Sequence, residues 1–193
     1  MFMISELIQS VPLYEGKKVT REEYMHLPDD GFRYDMIDGV LHLAPSPFSA
    51  HSFFQTIFLV KLGIYIETKK SAKLFNELDV YLPDGGDTVR PDITVVLNEN
   101  KKIIGKWIFG TPDLVCEVLS ESTRAYDLGK KADRYLSNGV KEFWIIDSDA
   151  KTVQVWKNRK TEWKKETASE LFSEVLNGFS LNCNDFFGTE QVG

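Results

Sequence analysis

The chain predicts an α/β domain built on a mixed sheet, and three observations lead there. Apolar runs of strand length recur along it, and one long stretch repeats its apolar residues at three and four. The order is helix, hairpin, helix, two strands, helix and then more strands, which is not a regular βαβ winding. All 193 residues, 1–193, are expected to form one domain with its core at about 20–160, because that length buries a core without staples.

Residues 1–19 form a polar lead-in with Pro12 and Gly16. Thr20 followed by Glu23 makes a capping box, so a short helix starts there and stops at Pro28-Asp29-Asp30-Gly31. Asp38-Gly39 between two alternating apolar runs predicts a hairpin, with Asp35 on the first arm and Pro45 and Pro47 closing the second. From about Ser49 to Thr68, Phe54, Ile57, Phe58, Leu62, Tyr65 and Ile66 mark a helix, with His51 in its first turn. Phe53, Val60 and Ile64 widen that stripe, which predicts a central buried helix.

Lys73 to Leu82 reads as one strand, followed by a PDGGDT turn. Arg90-Pro91-Asp92 leads into the apolar strand ITVVL, and a charged connection fills 98–110. The strand at 113–119 carries Glu117 in its middle, and a helix over roughly 127–137 ends at Asn138-Gly139. Glu142 to Asp147 and Thr152 to Trp156 are the last two core strands. The basic segment 157–167 reads as an exposed edge, and 169–187 as a short helix or loop rich in Leu and Phe.

Net charge is −6, which argues against holding nucleic acid on a generally basic surface. A nuclease stays open, since a divalent metal changes the local charge. Cys116 and Cys183 have no CxxC spacing, so neither a disulfide framework nor a Cys-type zinc site is indicated and a reducing cytoplasm fits best. The N-terminus shows no basic region and no cleavage site of a signal peptide, and the run Phe53 to Ile66 is too short to span a bilayer. The expectation is a soluble cytoplasmic protein with no membrane partner. No GxGxxG, P-loop, HExxH or GxSxG pattern occurs.

An acid inside an apolar strand is costly unless it is paired or binds a cation, so Glu117 stands out. A neighbouring Lys or Arg would satisfy it without any function. Asp113 shares its strand face, but their backbones lie roughly 13 Å apart, too far for one ion. Asp92, on a different strand, can converge with Glu117 if the two strands are neighbours, about 4.8 Å apart. Paired hard oxygens suit Mg²⁺ or Mn²⁺, and Asp35 can supply a third. On the helix that follows, Lys130 falls opposite the apolar face of Leu128, Ala132, Tyr135 and Leu136. Lys131 lies roughly 85° from the centre of that face, where a side chain can reach a partly buried site. Pairing with Asp127 at i,i+4 would also account for Lys131, and a capping or surface role would account for His51. A metal-held carboxylate pair with a lysine is a constellation for phosphodiester hydrolysis.

Several segments together carry a family likeness: Tyr34 to Gly39, Pro45-Ser46-Pro47 with His51, Arg90-Pro91-Asp92, Pro112 to Ser120, Ser122-Thr123-Arg124, Asp127 to Tyr135, and Gly139 to Asp147. In these the chain resembles the Uma-type restriction endonuclease family, formerly a domain of unknown function, of the PD-(D/E)XK nuclease superfamily. The resemblance implies a restriction-endonuclease-like three-layer core, a mixed β-sheet flanked by helices, with metal-dependent DNase activity. By matching position it makes Asp92 and Glu117 the metal ligands and Lys131 the displaced catalytic lysine, with Asp35, His51 and Arg124 in support. Two departures stand out. Leu119 occupies the place of the superfamily's in-strand lysine, and Asp35 stands where the Uma-type pattern has Glu. Arg124 can contact phosphate or salt-bridge the acids.

The leading expectation is a Mg²⁺- or Mn²⁺-dependent endonuclease acting on DNA. The rival is a catalytically silent nuclease-fold module that binds a protein or nucleic-acid partner, and a small-molecule enzyme on the same scaffold is a third reading. Many restriction-type nucleases are dimers because duplex cleavage needs two active sites, and the exposed 157–167 edge could pair two copies in a homodimer.

Overall fold

In the computed structural model, residues 11–44 and 46–188 are described. Pro45 and the first ten residues lie outside them, and so do the readings placed there. Thr20 and Glu23 make the expected reciprocal cap on α1 (Arg21–Met25). Strands β1 (Arg33–Ile37) and β2 (Val40–Ala44) pair antiparallel around Asp38 and Gly39, at φ 55° and 70°, the backbone that a tight two-residue hairpin requires. Helix α2 (Ser49–Lys69) is where periodicity placed it. It buries only Phe54, Gln55, Phe58, Leu62 and Ile66, whereas Phe53, Val60 and Ile64 are exposed. The helix is therefore a covering layer with one buried face, not a buried centre.

The stretch read as one strand is two: β3 (Ala72–Asn76) and β4 (Val80–Tyr81), which join different sheets. Glu77 breaks it, with φ at 46°. Then come β5 (Thr88–Val89), β6 (Ile93–Leu97), a 3₁₀ turn at Asn98–Ile103, β7 (Ile108–Phe109) and β8 (Leu114–Leu119). A continuous helical run follows: α3 (Arg124–Tyr126), a π turn at Asp127–Lys131 and α4 (Ala132–Ser137). It ends at Gly139, whose φ of 82° suits the residue after a helix end. The rest is β9 (Glu142–Asp147), β10 (Thr152–Asn158), β11 (Trp163–Thr167), β12 (Glu170–Phe172), β13 (Ser180–Asn182) and α5 (Cys183–Gly188).

A six-stranded sheet in the order β11-β10-β9-β8-β6-β3 forms the centre. Only β8 and β9 run parallel within it, so the sheet is mixed. Strand alternation sorts its two faces. Val95, Cys116, Val118, Trp144 and Ile146 meet Phe54, Phe58 and Leu62 of α2 and Phe186 of α5. Val96, Val115, Leu119, Phe143 and Ile145 meet Ala132 and Tyr135 of α4, together with Val80 and Val89 from a second sheet of order β2-β1-β5-β4-β7. By the same alternation, Asp92 and Glu117 fall on this second face, under the helical run and beside the first hairpin. None of the described helices is long and apolar enough to cross a membrane.

Candidate active site

The paired strands β6 and β8 bring the two acids together. Their register sets Ile93 opposite Cys116, so one step further along the antiparallel ladder Asp92 faces Glu117. The Asp92 amide reaches the Glu117 Oε2 at 3.4 Å, a long contact. Asp113, at the other end of β8, accepts from the Leu97 amide and pairs with Lys141, so it plays no part in this pair.

Each carboxylate is held by one oxygen. Asp92 Oδ2 accepts from the Val118 amide at 2.7 Å and from His51 Nε2 at 3.1 Å. Glu117 Oε1 accepts from the Tyr135 hydroxyl at 2.6 Å and pairs with the Lys131 ammonium at 2.7 Å. No described donor engages Asp92 Oδ1, and Glu117 Oε2 has only the long amide contact.

Lys131 is the clearest difference from the helical-wheel reading. The wheel leaves it on the boundary, yet it is 4% exposed, while Lys130 is in solvent as expected. The π turn supplies the reason. Its i→i+5 bonds put more residues in one turn, so Asp127 and Lys131 come closer to alignment and both point inward, and both are buried. The ammonium then sits 2.7 Å from Glu117, 3.5 Å from Asp127 and 3.6 Å from Asp35. Asp35 also accepts from the Arg90 amide at 2.7 Å.

Burial pushes the Glu117 carboxyl well above the usual carboxylate range, and the Lys131 charge only partly opposes it. Asp35 is raised for the same reason. Burial alone would lower Lys131, but Asp35 and Glu117 outweigh it and hold the amine well above its ordinary value, so it remains an ammonium. At His51 burial again lowers, but the hydrogen bond to Asp92 and the charges of Asp92, Asp127 and Glu77 together outweigh it, so the net shift is upward.

Asp35, His51, Asp92, Glu117 and Lys131 all line one cleft of about 480 Å³, together with Asp127, Arg90 and Tyr126. That size is ordinary for a small-ligand site. Arg124 does not line it. Its guanidinium forks onto Asp147, one arm at 2.9 Å, with Asp149 at 4.0 Å. The Arg124 hydrogen bond holds Asp147 below the usual carboxylate range despite partial burial. A folded pKa below the unfolded one means that the pair stabilises fully above the unfolded value and loses this as pH falls through the folded value. Asp147→Asn is expected to cost about 1 kcal/mol near neutrality. Denaturant melts taken from about pH 5 to pH 3 should show the gap to the wild type narrowing.

Sequence reasoning missed Tyr135, which it counted only as part of an apolar face. The signal was present, since Tyr135 lies one helical turn after Lys131 and carries a polar tip on that face. Tyr126 was missed as well; its buried hydroxyl has no partner among the described residues.

The donor set suits a hard divalent cation. Two carboxylates at opposed positions each keep one oxygen free of short hydrogen bonds. Among the described residues no group of three or more His, Cys, Asp or Glu side chains is arranged to hold a metal, so an ion here would complete its shell with water or backbone oxygen.

Comparison with known proteins gives the same direction. A family model described as Uma2, Putative restriction endonuclease, matches residues 21–184. The chain is similar in fold to a crystal structure of a putative nuclease belonging to DUF820 from Anabaena variabilis ATCC 29413, at a TM-score of 0.76 and 22% identity. That match covers 88% of this chain and 98% of the other. No curated protein matches.

Proposed function

The chain belongs to the Uma2 family, and from that premise we propose that it is a metal-dependent endonuclease that hydrolyses DNA phosphodiester bonds. The observation that carries this reading is the opposed Asp92–Glu117 pair, each with one oxygen pinned and one open, in a cleft with a buried ammonium.

In this reading Asp92 and Glu117 hold Mg²⁺ or Mn²⁺. The ion, when bound, supplies a water of lowered pKa and offsets charge on the phosphate. Lys131 acts as an ammonium and not as a base, because its acidic neighbours keep it protonated. It donates to the attacking water or to a phosphate oxygen at the cleft wall. Asp35 and Asp127, at 3.6 and 3.5 Å, help to keep that ammonium in place. His51 supports Asp92. Arg124 is assigned to Asp147, where it steadies the start of the helical run beside the cleft. Leu119 leaves the in-strand lysine position empty of charge, and the helix-borne Lys131, 2.7 Å from Glu117, takes over that duty.

Purified protein should nick supercoiled DNA or cut single-stranded DNA with Mg²⁺ or Mn²⁺ and not with EDTA. Absence of cleavage with any divalent ion, together with calorimetry that detects no metal uptake, would leave a silent binding module as the better account.

A further inference from the structure

A carboxylate ligand is useful only if the right oxygen faces the ion. Glu117 lies in a strand interior, where its terminal torsion is soft and its two oxygens are chemically equal. Something has to choose between them. In this chain two donors converge on Oε1, the Tyr135 hydroxyl at 2.6 Å and the Lys131 ammonium at 2.7 Å. Two more converge on Asp92 Oδ2, the Val118 amide and His51 Nε2. Both acids are thus treated alike, one oxygen doubly held and the other left over.

Tyr135 is built for that task. Its ring is fully buried, against Phe143 edge to face at 5.3 Å, and a phenylalanine would fill the same space without a polar tip. The packing leaves the hydroxyl one place to be. At 2.6 Å from a carboxylate oxygen, which accepts, the hydroxyl is the donor. His51, on the first turn of α2, donates through Nε2, because a carboxylate can only accept.

We propose that Tyr135 and His51 are positioning residues that fix which oxygen Glu117 and Asp92 present to each other and to a cation between them. The inference deepens the proposed nuclease reading and rests on it. It has a mechanical consequence. With Oε1 already shared by Tyr135 and Lys131, Glu117 would still have an oxygen to offer an ion while the ammonium keeps its place.

The test is Mn²⁺ binding by calorimetry, which needs no substrate and no turnover, on the wild type, Tyr135→Phe and His51→Ala. Loss of an orienting partner behind a metal ligand typically weakens binding by about 10–100-fold. We expect a fall of that size in each variant at unchanged stoichiometry, with thermal melts as the control for folding. His51 reaches the cleft edge, so its variant remains informative should the buried Tyr135→Phe prove too unstable to assay. Lowered melting temperatures with wild-type Mn²⁺ affinity in the variants would overturn the proposal and leave both residues as mere partners of buried acids. If the wild type itself takes up no Mn²⁺, the nuclease reading fails first, and the positioning role falls with it.

Discussion

Asp92→Asn and Glu117→Gln are each expected to bring DNA cleavage down to the level of the EDTA control while leaving the protein folded. The substitutions keep shape and most hydrogen bonding. The side-chain amide at position 92 would still offer one oxygen to the Val118 amide, and the one at position 117 would still offer one to Tyr135 and Lys131. What the substitutions remove is the anionic charge at the two open oxygens, and a neutral amide is a poor ligand for a hard divalent ion. Cleavage gels read the activity, and calorimetry with Mn²⁺ reads the site itself. Persistent metal-dependent cleavage by both variants would move the chemistry elsewhere in the chain. The Glu117 change has a second expected sign. A buried carboxylate is lost from a cluster of acids, so its thermal stability should change far less than its activity.

Much of this site could be read before any coordinates. Glu117 stood out because charge is costly in an apolar strand, and Asp92 could converge with it on one condition, that their strands be neighbours, which was left for the structure to meet. The register of β6 on β8 meets it. The Thr20 cap, the Asp38-Gly39 hairpin and the span of α2 are local features, set by side chains within a few residues, so local pattern found them. What depended on winding or on distant partners was less legible. A wheel drawn at a constant 100° per residue has no room for a π turn, so it left Lys131 at the boundary instead of inside. Strand pattern could not separate β3 from β4 either, because it continues through the break at Glu77 while the hydrogen-bond partners change sheet. The exposed Phe53, Val60 and Ile64 carry a further lesson. Their spacing fits a buried helix, but a helix lying on one sheet has only one face to bury.

Lys131→Met is expected to cost the most stability of any single change in the cleft. The methionine fills the lysine's volume, and the loss is the charge alone. Glu117, Asp35 and Asp127 are then left buried together with no cation among them, and removing one partner of a buried pair typically costs about 3–5 kcal/mol. For a chain of this size that corresponds to a melting temperature lower by about 6–20 °C. The deficit also has a pH sign. Without the ammonium, the Glu117 carboxyl, already raised by burial, rises further above its unfolded value. The folded state then binds more protons than the unfolded one between the two values, so the variant loses stability as pH rises from the ordinary carboxylate range upward. Thermal melts taken upward from that range should show the gap to the wild type widening. A constant gap would mean that Glu117 is not the acid the lysine neutralises. Adding Glu117→Gln to Lys131→Met should return part of the lost stability, since one of the three uncompensated acids goes with it. Buried ion pairs are replaceable by neutral groups as far as folding is concerned, so single-variant Lys131→Met protein that is folded at the assay temperature and takes up Mn²⁺ but does not cleave would assign Lys131 to the chemistry of the cleft.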